Sequence, residues 1–245
     1  MPRLLTYNVH RCVGTDRKLD VGRVAEVIAA QAPDIVALQE VDVGRARTGC
    51  VDQAERLAQR LGMSFRFNAA LKVEAELYGD ALLTTYPEHL VKAGPLPGDP
   101  RIPRLEPRGA LWVAVQIGGV ELQVINTHLG LVPREQRDQA QALAGKAWLG
   151  ARACRDPVML VGDLNATALA MAYRILAARL RESRGAAPFA RWVPTFPSRM
   201  PVLAIDHVFV SPGVEIQSVR TPLDDLSRRA SDHLPLVVDF RLNGA

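Results

Sequence analysis

The residues of this chain best suited to chemistry are polar tips on apolar runs. Asn8 ends the run from Leu4 to Tyr7, Glu40 ends Ile35 to Gln39, and His128 ends Leu122 to Thr127. Asp163 and Asn165 follow Val158 to Gly162, Asp206 follows Ile205, and Asp232 and His233 precede a final run. Runs of this length, rich in Val, Ile and Leu, read as buried strands, so each polar group sits at a strand mouth. Taken singly, each has a plain reading: Asn8 as a turn residue, Glu40 as a solvated strand end, the histidines as hydrogen-bonded structural groups, Asp163 and Asn165 as a helix cap. Taken together, carboxylates beside neutral amides and imidazoles are what a divalent cation and a phosphate require. The pattern therefore points to metal-dependent phosphoester hydrolysis.

The elements that must position these groups can be read from the same 245 residues. An apolar share of 48% with 23% charged residues gives material for a large core, and tips spread from Asn8 to His233 favour one domain over residues 1–245. Asp20 offers an N-cap to a helix whose Val21, Val24, Val27 and Ile28 share a face, and Pro33-Asp34 stops it before the strand at Ile35 to Leu38. That β-α-β opening makes a parallel pair. A second helix is expected over Asp52 to Leu61, then strands around Phe65 to Leu71, Ala81 to Thr85 and His89 to Lys92. The stretch from Gly94 to Arg108, with prolines 95, 97, 100, 103 and 107, reads as a surface loop. Gly118-Gly119 signals a hairpin between strands at Ala110 to Ile117 and Val120 to Thr127. A helical pattern from Arg134 to Ala151 leads to the strand at Val158, and another spans Thr167 to Arg181. A loop from Gly185 to Pro201 and strands near Ile205 to Val210, Val214 to Val219 and Leu236 to Leu242 close the chain. Strands outnumber helices and include hairpins, the mark of mixed sheets.

In order along the chain, Thr6-Tyr7-Asn8-Val9, Leu38-Gln39-Glu40-Val41, Asn126-Thr127-His128-Leu129, Gly162-Asp163-Leu164-Asn165, Ile205-Asp206-His207-Val208 and Ser231-Asp232-His233-Leu234-Pro235 resemble the motifs of the endonuclease/exonuclease/phosphatase superfamily. The resemblance covers essentially the whole sequence. It implies a DNase-I-like α/β fold, a four-layer sandwich of two packed mixed β-sheets flanked by helices, with a site at one sheet edge. It also implies roles. Glu40 would be the principal ligand of Mg²⁺, with Mn²⁺ able to substitute, and Asn8 and Asp232 would complete the metal shell; hard oxygen donors in small number suit Mg²⁺. Asp163 would orient or deprotonate the attacking water and Asn165 would fix that water or a phosphate oxygen. His128 and His233 would donate to the nonbridging oxygens, and Asp206 would hold His233 in one tautomer.

Outside the motifs, Arg47, Arg108 and Arg228 are candidates for binding substrate phosphate, since a guanidinium can grip it bidentately, and His10 shares the face of Asn8. Arg45, Arg101 and Arg104 read as surface charge, and His207 should point away from Asp206, as a structural residue. A net charge of +4 comes almost wholly from arginines, without a basic run that would mark a nucleic-acid patch. The three cysteines are widely spaced, which favours a reducing compartment over a disulfide framework. With no leader-like start and no run near the roughly 20 residues that span a bilayer, the expectation is a cytoplasmic protein without stable membrane insertion or an obligate protein partner. The expected substrate is a phosphodiester, nucleic acid first. A phospholipid headgroup or small phosphoester is the alternative, ahead of a catalytically inactive binding module.

Overall fold

The computed structural model describes residues 1–187 and 193–244. The first run forms β1 (Arg3–Asn8), and Asp20 caps α1 (Val21–Ala29) by accepting from the Arg23 N–H at 2.9 Å. The chain returns as β2 (Ile35–Val43), parallel to β1, then as α2 (Gln53–Leu61), which Asp52 caps. β3 (Ser64–Val73), β4 (Glu76–Thr84) and β5 (Glu88–Pro95) follow, then the proline-rich loop. β6 (Gly109–Ile117) and β7 (Val120–His128) turn at Gly118 and Gly119, whose φ values of +57° and +85° are the left-handed pair a tight hairpin needs. The second half runs α3 (Pro133–Ala144), β8 (Val158–Asp163), α4 (Met171–Ala177), β9 (Arg181–Glu182), α5 (Ser183–Ala186), β10 (Asp206–Val210), β11 (Val214–Arg220), α6 (Asp225–Ala230) and β12 (Leu236–Leu242).

These strands make two six-stranded sheets, ordered β11-β12-β1-β2-β4-β3 and β5-β6-β7-β8-β10-β9. Each contains one parallel pair, β1 with β2 and β7 with β8, and the remaining neighbours are antiparallel. Alternation along the strands explains the layers. Leu4, Ile35, Ala37, Val124 and Val161 point inward and pack sheet on sheet. Their neighbours Leu5, Tyr7, Val36 and Leu38 point outward, under the apolar stripes of α1 and α2. Ile125, Leu160 and Phe209 do the same beneath α3 and α4. The expected four-layer sandwich is what the chain forms.

Boundaries differ where local geometry overrides periodicity. β2 continues past Leu38 through a bulge to Val43. α3 stops at Ala144 instead of Ala151, because the backbone turns extended at Gly145, whose carbonyl then takes the N–H groups of Trp148 and Gly150. The pattern over Thr167 to Arg181 yields a helix only from Met171 to Ala177, since the residues before it form a loop at the strand mouth. α6 is too short to show a period, although Asp224 caps it by accepting from the Ser227 N–H at 2.8 Å. Part of the expected loop from Gly185 to Pro201, residues 188–192, lies outside the described residues. No helix among the described residues is long and apolar enough to cross a membrane.

Candidate active site

The topology brings the polar tips together. β1, β2, β7 and β8 end at the same edge of the sandwich, and β6, β10 and β12 begin there. Along each strand the inward positions change from apolar to polar toward that edge: Leu4, Thr6, Asn8 on β1; Ile35, Ala37, Gln39 on β2; Val124, Asn126, His128 on β7; Met159, Val161, Asp163 on β8. The sheet-to-sheet core thus grades into a cleft of about 350 Å³.

Asp163 is the hub of that cleft. Its carboxylate is almost fully buried. Oδ1 accepts the Asn165 N–H at 2.7 Å, and Oδ2 accepts Asn8 Nδ2 at 3.0 Å while facing His128 Nε2 at 3.5 Å and His233 Nε2 at 3.6 Å. Burial pushes its pKa up to about 7, with the Asp206 charge adding to the rise, while His233 and the hydrogen bonds from Asn8 and Asn165 oppose it. Two backbone features set this position. Gly162, at φ +134°, lies so close to β7 that a Cβ would sit 1.8 Å from the Thr127 carbonyl oxygen. Asn165 takes φ +49°, a left-handed value that Asn tolerates better than most residues.

The two imidazoles beside Asp163 differ. His233 Nδ1 lies 2.9 Å from Asp206 Oδ2, and its ring packs against Phe196 at 4.9 Å between centroids. Burial works against its charge, but Asp206 and Asp163 outweigh it and raise the pKa to about 10, so the ring is an imidazolium at neutral pH. His128 moves the other way. Burial first, then Arg108, then His233 hold it well below its ordinary value, so it is neutral.

Glu40 reaches the cleft through strain. It sits in the β2 bulge at φ +58°, a left-handed value that costs a non-glycine residue about 1–3 kcal/mol. Period-two alternation would have pointed it toward the helices. The bulge turns it inward, and Asn126 of the other sheet braces the distortion by donating Nδ2 to the Leu38 and Ala81 carbonyls, both at 2.9 Å. Gln39 Nε2 donates to Asn126 Oδ1 at 2.7 Å and to Thr6 Oγ1 at 3.1 Å.

Asn8 lies under the floor. Its oxygen accepts the His10 N–H at 3.0 Å, and its nitrogen donates to Glu40 Oε1 and Asp163 Oδ2, both at 3.0 Å, so its amide joins the two carboxylates. Asp232 lines the cleft with a side chain 41% exposed. Arg47 lines it too, clamped on buried Asp42 through two hydrogen bonds of 2.7 Å and laid over the Tyr78 ring at 5.4 Å. Arg108 lines it but is turned inward on Glu106 and His128. His10 and Arg228 are not among the lining residues: the His10 ring bonds the Val13 carbonyl at 3.1 Å, and Arg228 Nη1 reaches the Arg199 carbonyl. His207 is buried on the outer face, with Nε2 at 2.9 Å from the Ala166 carbonyl.

Sequence reasoning did not single out Arg11, Tyr78, Glu106 or Phe196 in the lining, nor the braces Gln39 and Asn126. The braces had a signal, since both fall on the inward parity of their strands one step before the tips. Arg11 had none. It reaches the cleft because His10, Arg11 and Cys12 all take positive φ, a left-handed turn that periodicity does not encode.

The donor set fits a hard divalent cation at Glu40 and Asp232. Glu40 is half-buried, and among the described residues one of its oxygens meets only the Asn8 amide, at 3.0 Å. A second cluster, Asp163, Asp206 and His233, brings one ligand atom each within 4.8 Å. There the atoms already pair with one another, and an imidazolium has no lone pair for a metal.

The comparisons agree with this geometry. A sequence model described as the endonuclease/exonuclease/phosphatase family matches residues 5–233. The Escherichia coli K12 protein YbhP is 25% identical over 252 residues, covering 98% of this chain and 96% of its own. An endonuclease/exonuclease/phosphatase from Beutenbergia cavernae is 27% identical with a TM-score of 0.77, over 100% of this chain and 72% of that one. One from Bacteroides vulgatus, 21% identical and covering 99% of each chain, has the same fold at a TM-score of 0.79. The match at 5–233 begins inside β1 and ends on the histidine that Asp206 holds, so it takes in both halves of the cleft, and the chain belongs to the endonuclease/exonuclease/phosphatase family.

Proposed function

We propose that this protein is a divalent-metal-dependent phosphodiesterase that directs water onto phosphorus from the Asp163 side of the cleft. The observation that carries the reading is the Asp163 carboxylate, bracketed by Asn8, the His128 ring and the Asp206-held His233 imidazolium. Asp163 orients the attacking water and takes its proton, a role suited to a carboxylate raised to about 7. His233 gives a charge-assisted hydrogen bond to a phosphoryl oxygen as negative charge builds, and His128 and Asn165 offer neutral ones. Asn8 keeps Glu40 and Asp163 at a fixed separation through one amide. Glu40 and Asp232 would hold Mg²⁺ or Mn²⁺, which when bound supplies Lewis-acid stabilisation of the phosphoryl and leaving oxygens. Hydrolysis of bis(p-nitrophenyl) phosphate with Mg²⁺ or Mn²⁺ tests this. Asp163→Ala and Glu40→Ala are expected to lose on the order of 100-fold or more, and equal rates in all three proteins would overturn it.

Nucleic acid is the first substrate class. Arg11 and Arg47 line the cleft with Phe196, cations for a backbone and a ring for a base. One observation favours a second reading, a phospholipid headgroup. The loop closed by the Phe196–Leu203 bridge is anchored beside His233, through Ser198 N–H to the Asp232 carbonyl at 2.7 Å. Its tip leaves Met200 71% and Val202 54% exposed. Plasmid DNA, RNA and phospholipid vesicles assayed under one metal condition separate the readings, with steep loss of rate in salt as the mark of backbone binding.

A further inference from the structure

Arg108 stands at the cleft wall, yet its guanidinium serves the protein more than the solvent. The residue is 8% exposed, Nη1 donates to Glu106 Oε1 at 2.7 Å, and the same nitrogen lies 3.1 Å from Nδ1 of buried His128. A guanidinium is protonated at any pH a protein survives and has donors only. The Nδ1 atom it meets must therefore accept. An imidazolium would set one N–H against another and one cation against another, so the ring is neutral with its single proton on Nε2.

We infer that Arg108 is a positioning residue that locks His128 as the neutral Nε2–H tautomer, making the ring a fixed hydrogen-bond donor to the phosphoryl oxygen. On the far side of the ring an amide N–H competes for the same lone pair, and the charged guanidinium donor at Nδ1 outweighs the neutral amide. His128 Nε2 lies 3.0 Å from Asn165 Nδ2, and the Asn165 amide is oriented by donation to the Leu129 carbonyl at 3.0 Å. Two N–H donors thus face each other, with Asp163 Oδ2 the nearest carboxylate oxygen at 3.5 Å from the ring. An oxygen that accepts from both relieves the conflict, and a phosphoryl oxygen has the lone pairs to do so. The two imidazoles flanking Asp163 are consequently set by opposite partners. Asp206 orients His233 as carboxylates commonly do, whereas a cation orients His128. Burying that cation is costly, and among the described residues Arg108 Nε has no hydrogen-bond partner.

The catalytic half of this inference rests on the phosphodiesterase reading, but the tautomer is a property of the resting protein. Long-range ¹H–¹⁵N correlation spectra of the labelled full chain, with the five histidines assigned by single substitution, read it directly. The expected His128 pattern is an unprotonated Nδ1 and a protonated Nε2. Arg108→Lys keeps a donor-only cation and should keep that pattern and most of the activity. Arg108→Met should release the ring into a mixture of tautomers and lower kcat by about 100-fold, the cost of losing one preorganised donor, with little change in KM. A protonated Nδ1 in the unsubstituted protein overturns the inference, as does a folded Arg108→Met protein with the pattern unchanged. A rise in KM alone would make Arg108 a substrate clamp instead. If Arg108→Met does not fold, the spectrum of the unsubstituted protein decides. If no phosphodiester is hydrolysed, the ring pattern still stands or falls separately.

Discussion

The brace across the two sheets gives the sharpest prediction. Asn126 is fully buried, and its amide nitrogen satisfies the Leu38 and Ala81 carbonyls at the point where the β2 bulge breaks the ladder to β4. Replacing Asn126 with Ala strands both carbonyls. Gln39 Nε2 loses one acceptor but keeps the Thr6 hydroxyl and the Ala37 carbonyl. At about 1–3 kcal/mol for each of the two stranded buried acceptors, the loss is about 2–6 kcal/mol, a large share of the roughly 5–15 kcal/mol that holds a domain together. With a urea slope of about 2–3 kcal/mol per molar for a chain this size, the midpoint should fall by roughly 1–3 M. Asn126→Asp should be worse than Ala despite its near-identical shape, because it turns an oxygen toward two carbonyl oxygens and can add a buried charge. The same variants should lose hydrolysis of bis(p-nitrophenyl) phosphate, since an unbraced bulge lets Glu40 leave its left-handed backbone and return to the helix-facing parity. Urea melts and steady-state rates on the three proteins check both parts. An Asp variant as stable as the unsubstituted protein, or an Ala variant with an unmoved midpoint, would refute the bracing argument.

Other predictions concern the groups around Asp163. Gly162→Ala puts a methyl against the Thr127 carbonyl and an L-residue at φ +134°, so it should cost several kcal/mol, about 3 or more, in a denaturant melt. The pH–rate profile should be bell-shaped: activity is lost as pH falls through about 7, where Asp163 takes up the proton that disables it as a base, and again as pH rises through about 10, where His233 loses its charge. In Asp206→Asn the alkaline limb should move to lower pH, because the largest contribution raising His233 is gone, and kcat should drop by about 100-fold or more. Chelation should abolish turnover and added Mg²⁺ or Mn²⁺ should restore it; in Glu40→Gln a much higher metal concentration should be needed, read by titrating the rate.

What the sequence exposed and what it concealed follow from one distinction. The strands were legible because burial on both faces demands unbroken Val, Ile and Leu, and because Gly118-Gly119 and Asp20 are local signals for a turn and a helix cap. The tips on inward parity, Asn8, His128 and Asp163, were equally legible, because alternation alone carries them to the mouth between the sheets. Glu40 was found by its place after a strand, but parity assigns it to the wrong face; only the bulge at φ +58° and the Asn126 brace from β7 explain how it enters the cleft. The arginines were the least legible. A guanidinium on a long stem can line a cleft from many backbone positions, and what fixes its role is the partner it meets. Asp42 holds Arg47 open at the wall, while His128 turns Arg108 inward. Neither partner is near its arginine in a way that periodicity reports: Asp42 is masked as a strand residue and His128 lies 20 positions away. The motif residues therefore define the chemistry at phosphorus, and the non-motif partners decide which proton each motif residue carries. A family member with the same tips and a carboxylate in place of Arg108 would be expected to hold its equivalent of His128 charged, and so to run the same hydrolysis with a different pH dependence.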